Sequence, residues 1–128
     1  MPELFRHQCH ARAPRIQPER PSSRARGYDA KWDRRSAAFR RRHPFCQRCQ
    51  EREGAPLVFC AVVDHKFPVQ DGGKVHCDDA GLWSLCAACH GWKLELEAFA
   101  RRTGQMHMIV EWCDHPEKRP DIRRGDLR

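Results

Sequence analysis

The chain has 128 residues, 32% charged and 40% hydrophobic, with eight cysteines and a formal net charge of +7. That length fits one domain with a limited core, and no run of 18 apolar residues is present to span a bilayer. The charge is uneven: residues 1–45 hold twelve Lys/Arg against four Asp/Glu, whereas residues 46–128 hold twelve against thirteen. A positive N-terminal third points to a polyanionic partner, of which nucleic acid is the common one.

Residues 1–25 carry Pro2, Pro14, Pro18 and Pro21 among arginines, with no apolar period, and read as a flexible basic arm. His7, Cys9 and His10 lie there, and in such an arm they carry no structural role. Met1 to His7 has no apolar stretch resembling a secretory signal. With half of the cysteines in paired clips, the expectation is reduced thiolates on metal in a cytosol, against the alternative of a disulfide-rich secreted domain.

Tyr28 to Arg42 reads as a helix capped by Asp29, with Trp32, Ser36 and Phe39 on one face. Arg34, Arg35, Arg40, Arg41 and Arg42 populate much of the rest and are candidates for phosphate contact. Pro44 should stop the helix at His43. Cys46-Gln47-Arg48-Cys49 is a first metal clip, and Leu57 to Val63 reads as a strand delivering Asp64 and His65 to a loop. An irregular loop over 66–80 has a tight turn at Gly72-Gly73. Leu82 to Leu85 forms a short return strand, and the second clip, Cys86-Ala87-Ala88-Cys89, opens a helix from Ala87 to about Arg102. In that helix Leu94, Ala98 and Arg101 share one face, and Gly104 ends it. Met106 to Trp112 reads as one extra strand before a loose tail.

Two Cys-x-x-Cys clips can close a tetrahedral zinc site. Cys46, Cys49, Cys86 and Cys89 are therefore the expected structural ligands, leaving Asp64, His65 and His90 for chemistry. His90 replacing a cysteine on that zinc is the alternative. Cys60 reads as a buried small residue, and His76, Cys77 and Cys113 have no partner spacing that would make a second site.

Arg26-Gly27-Tyr28-Asp29-Ala30-Lys31-Trp32, then His43-Pro44-Phe45-Cys46, Val63-Asp64-His65 and Leu85-Cys86-Ala87-Ala88-Cys89-His90-Gly91-Trp92-Lys93, resemble the zinc-stapled branch of the HNH endonucleases, many of them phage-encoded. The resemblance runs from about Arg24 to about Leu96. It implies a small α+β fold with a ββα-metal (His-Me finger) core stapled by a four-cysteine zinc site. The domain plan is then a basic arm over 1–25, a nuclease domain over 26–104 and a strand and tail over 105–128. It further implies hydrolysis of DNA phosphodiester bonds, with His65 as general base and Asp64 and His90 holding a catalytic Mg2+, Mn2+ or Ni2+. Lys93 matches a basic position of the family that can meet a phosphate. By analogy alone, the partners would be DNA and phage packaging proteins in the cytoplasm of a bacterial host. The family's usual asparagine, five residues before the third cysteine, is Gly81 here. That departure keeps open a second class of function: a zinc-stapled nucleic-acid-binding module without catalysis.

Overall fold

The computed structural model describes residue 22 and residues 25–122. The arm over 1–25, with His7, Cys9 and His10, lies outside the described residues save for Ser22 and Ala25, as does the end of the tail from residue 123.

Helix α1 spans Ala30–Arg42. The Asp29 carboxylate accepts the Trp32 backbone N–H at 2.9 Å, which starts the helix and holds that carboxyl below its usual range. His43 still donates its N–H to Phe39 O, and Pro44 prevents a further turn. Trp32 and Phe39 are buried against Val63, Val75 and Leu82.

Strand β1, Val62–His65, pairs antiparallel with β2, Leu82–Leu85, with Val63 opposite Ser84 and His65 opposite Leu82. Successive side chains of a strand point to opposite faces. Val63 and His65 therefore turn toward α1, while Val62 packs on the cysteine cluster and Asp64 turns toward α2. Every residue of β2 is buried. The ribbon lies between two helices, with β2 wholly buried and β1 alternating half-buried and buried residues.

The segment expected as a strand from Leu57 is extended but changes partner along its length. Cys46 N bonds Val58 O and Cys60 N bonds Pro44 O, with a single bridge between Phe45 and Phe59; only from Ala61, whose N–H reaches Leu85 O, does the chain join β2. The regular ladder is thus shorter and later than expected, and Asp64 and His65 are its last two residues.

Helix α2, Ala87–Thr103, ends at Gly104 in the left-handed region, where no Cβ opposes a φ of 69°. Its buried face is Cys89, Lys93, Leu96, Glu97 and Ala100; Leu94 and Ala98, which share another face with Arg101, are exposed. Met106 to Trp112 is not a strand. It forms a single 3-10 turn and then α3, Ile109–Asp114. Ile109, Trp112 and Cys113 recur at helical spacing and are buried, the first two packing on Leu96 and Ala100 of α2. The described residues therefore make a small α+β fold of three helices and a two-stranded sheet.

Gly81 sits close against the Cys77 side chain. A Cβ there would come 2.9 Å from Cys77 Sγ, while its carbonyl accepts the Lys66 N–H at 2.9 Å. Gly81→Ala is expected to cost about 1–3 kcal/mol, toward the low end because a thiol can swing aside. The loss should shrink in a Cys77→Ala background, as urea-denaturation midpoints will show.

Candidate functional site

The first clip is built by backbone ties to the ribbon. Gln47 N–H reaches Ser84 O at 2.9 Å, and Ser84 N–H reaches the Gln47 side-chain oxygen at 2.8 Å. The second clip is the N-terminus of α2, with Cys86 as its cap. Within each clip the second cysteine's N–H points at the first one's sulfur, Cys49 to Cys46 at 3.4 Å and Cys89 to Cys86 at 3.5 Å. The four Sγ atoms lie within 4.8 Å of one another, with Cys49–Cys86 at 3.8 Å and Cys49–Cys89 at 3.6 Å. A tetrahedron of Zn–S bonds of about 2.3 Å has edges of about 3.8 Å. The cluster therefore fits a structural zinc.

Electrostatics favour a dication there. Burial and the surrounding thiols push the Cys49 thiol far up. Burial also opposes ionisation of Cys86, yet the Cys89 N–H and the neighbouring thiols bring it down to about 7. Crowded thiols share few negative charges until a cation offsets their repulsion. The Arg48 guanidinium adds one donor, 3.3 Å from Cys89 Sγ, and lies 3.7 Å over the Trp92 ring. None of the seven described cysteines is in a disulfide. Cys60 donates to Val62 O, Cys77 packs against Gly81, His76 sits beside Asp29, and the Cys113 thiol is pushed up to about 12 by burial. They make no second cluster among the described residues.

Asp64, His65 and His90 line one cleft of about 770 Å³, together with Tyr28, Leu94 and Glu97. His90 is turned away from the sulfurs: its Nε2 lies 4.0 Å from Asp64 Oδ1. His65 is 5% exposed and stacks on Trp32 with ring centroids 4.5 Å apart. Its Nε2 lies 2.8 Å from Val75 O. A carbonyl only accepts, so Nε2 carries the proton and Nδ1 of the neutral ring keeps its lone pair.

Lys93 is not a surface contact for phosphate. It is fully buried, and its ammonium donates to Asp64 Oδ2 at 2.7 Å, Glu97 Oε2 at 2.9 Å and His65 O at 3.0 Å. Burial alone would lower its pKa, but the Asp64 and Glu97 carboxylates outweigh that and raise it. Burial raises the Glu97 carboxyl in spite of Lys93. The arginines of α1 divide. Arg35 and Arg42 both hold Asp79, at 3.0 and 2.8 Å, and Arg40 donates to Ala61 O; Arg34 and Arg41 are exposed, as are Arg40 and Arg42.

Sequence reasoning missed Glu97, the Trp32 stack and Arg48. For Glu97 a signal existed: it stands at i+4 from Lys93 and i+8 from Cys89, on the stripe that the second clip commits to the interior.

No family model, curated protein or solved structure matches the chain. Any function must therefore be argued from the geometry. Cys86→Ser is expected to lose one zinc per chain and with it the helical circular dichroism, since metal-binding free energy is here folding free energy. Ser in place of Cys60, Cys77 or Cys113 should leave the zinc content at one, read by elemental analysis.

Proposed function

We propose that the protein is a metal-dependent endonuclease of the HNH kind, hydrolysing DNA phosphodiester bonds. On this reading β1, β2 and α2 are the ββα-metal unit, with Asp64 and His65 on the first strand and His90 on the helix. The observation that carries it is the convergence of these three side chains on one cleft, with Asp64 Oδ1 facing His90 Nε2 at 4.0 Å. A carboxylate oxygen and an imidazole nitrogen this close could be drawn onto one cation by small side-chain rotations. Magnesium, manganese or nickel held by Asp64 and His90 would supply positive charge to the phosphate oxygens as negative charge develops on them.

The chain's own part is orientation and proton transfer. The N–H fixed on Val75 O leaves His65 Nδ1 as the base that takes the proton of the attacking water. Trp32 keeps the ring from swinging away. Gly81 lacks the side chain with which the family ties this loop. Here main-chain groups tie it instead, through Lys66 N–H to Gly81 O and His65 to Val75 O. Arg34 and Arg41 on the exposed face of α1 would meet backbone phosphates, giving affinity without sequence choice. A role near phage genome packaging is part of this reading by resemblance alone.

Gly81 also supports the second reading, a zinc-held DNA-binding module that does not cut. Plasmid nicking in Mg2+, Mn2+ or Ni2+ separates the two. The expected loss for His65→Ala is about 10²–10⁴-fold, and Asp64→Ala should lose activity with its zinc retained. Wild type cutting no better than His65→Ala would leave only the binding module. Arg34→Ala and Arg41→Ala should each weaken DNA binding across sequences and lower the salt slope by about 1, measured by titration at several salt concentrations.

A further inference from the structure

We infer that Lys93 is a positioning residue that sets the orientation of Asp64 in the cleft, with Glu97 as the counter-charge that holds Lys93 in place. This rests on the reading of Asp64 and His90 as ligands of a divalent cation.

An ammonium has three N–H donors. Those of Lys93 are matched by three acceptors on three residues, the Asp64 and Glu97 carboxylates and the His65 carbonyl. No donor is left over and no solvent reaches the group, for Lys93 is 0% and Glu97 4% exposed. A lysine and a glutamate at i and i+4 are ordinarily a solvated surface pair of little consequence. Here both are inside, and the partner that ties them to another element is the last pair of residues of β1.

The consequences for the cleft are geometric. Lys93 follows His90 by three residues on α2, so one side chain links the helix that carries His90 to the strand end that carries Asp64 and His65. By taking Asp64 Oδ2 it leaves Oδ1 as the oxygen that faces His90. By taking the His65 carbonyl it holds the backbone of the proposed base. A lone positive charge beside a cation site would oppose cation binding; Glu97 cancels it, so the pair contributes orientation at little net charge.

The neutrality of the pair supplies the test. In Lys93→Met/Glu97→Leu both charges go together, so the field at the cleft changes little while the tether is lost. Mn2+ binding to zinc-loaded protein is measured by titration calorimetry and by electron paramagnetic resonance, beside zinc content and circular dichroism. The expected result is unchanged zinc and helix content with Mn2+ bound about 10–100-fold more weakly. Lys93→Arg keeps the charge but not the three-point geometry, and should weaken Mn2+ binding in the same direction. Equal Mn2+ affinity in wild type and variants would overturn the positioning role and leave the cleft's metal reading standing. Failure of wild type to bind Mn2+ would remove both. Loss of zinc or helix content in both variants would make the pair structural and overturn the role as well.

Discussion

Four sulfurs within 4.8 Å of one another close a loop between two segments about forty residues apart, and the positions of the cleft residues descend from that closure. The hydrophobic core alone is thin. It divides into small groups, one around the cysteines, one under α1 and one between α2 and α3. A structural zinc contributes about 10–16 kcal/mol in small zinc-binding peptides, as much as the whole net stability of a typical domain. In a polar chain of this size a metal so placed would decide whether the native state exists. Apolar packing then decides how well that state is ordered.

The same closure fixes the register of α2. Cys86 caps the helix and Cys89 faces the sulfur cluster, so the helical repeat dictates where each later residue points. His90 turns one step aside, toward Asp64. Lys93 and Glu97, one and two turns beyond Cys89, fall on the buried stripe. The ribbon does the matching job from the other side. Alternation along β1 sends Asp64 to α2 and His65 to α1, and because the strand ends there both still border one cleft.

How much of this was legible follows from the kind of signal each part leaves. The clips, the α1 cap at Asp29, the stop at Pro44 and the short strand at Leu82–Leu85 are local, set by spacing or backbone chemistry within a few residues, and they stand as read. The misread elements depend on what packs across from them. Met106–Trp112 mixes β-branched, aromatic and sulfur side chains that suit a strand, but Ile109 and Trp112 meet the face of α2 only at helical spacing. The buried face of α2 is not the Leu94, Ala98 and Arg101 face singled out by spacing, because the clip commits Cys89 and with it Lys93 and Glu97 to the interior. The convergence of Asp64, His65 and His90 was legible from the fusion of His90 to a ligand and of Asp64-His65 to a strand. The place of Lys93 on the buried stripe follows from the clip as well; what left no trace is that three oxygens await its ammonium.

That burial has an energetic consequence for the whole molecule. Taking a lysine and a glutamate out of water costs several kcal/mol per ion, and an apolar pair of similar volume in such places is often more stable. Breaking the cluster by removing one partner is worse, about 3–5 kcal/mol, because a charge is then left alone. The Lys93–Glu97 pair is therefore a poor way to hold two elements together if holding them is all that is needed. Methionine at 93 and leucine at 97 would join β1 to α2 through contact alone, but they would leave the Asp64 carboxylate free to turn toward water. An ammonium in that position joins the elements and also specifies a direction for one oxygen of Asp64. A fold stabilised chiefly by sulfur ligation of a metal would tolerate the desolvation, since the metal-binding free energy does not depend on how apolar the interior is. A zinc held by the four cysteines and the polarity of the core beside the cleft would thus be two sides of one arrangement.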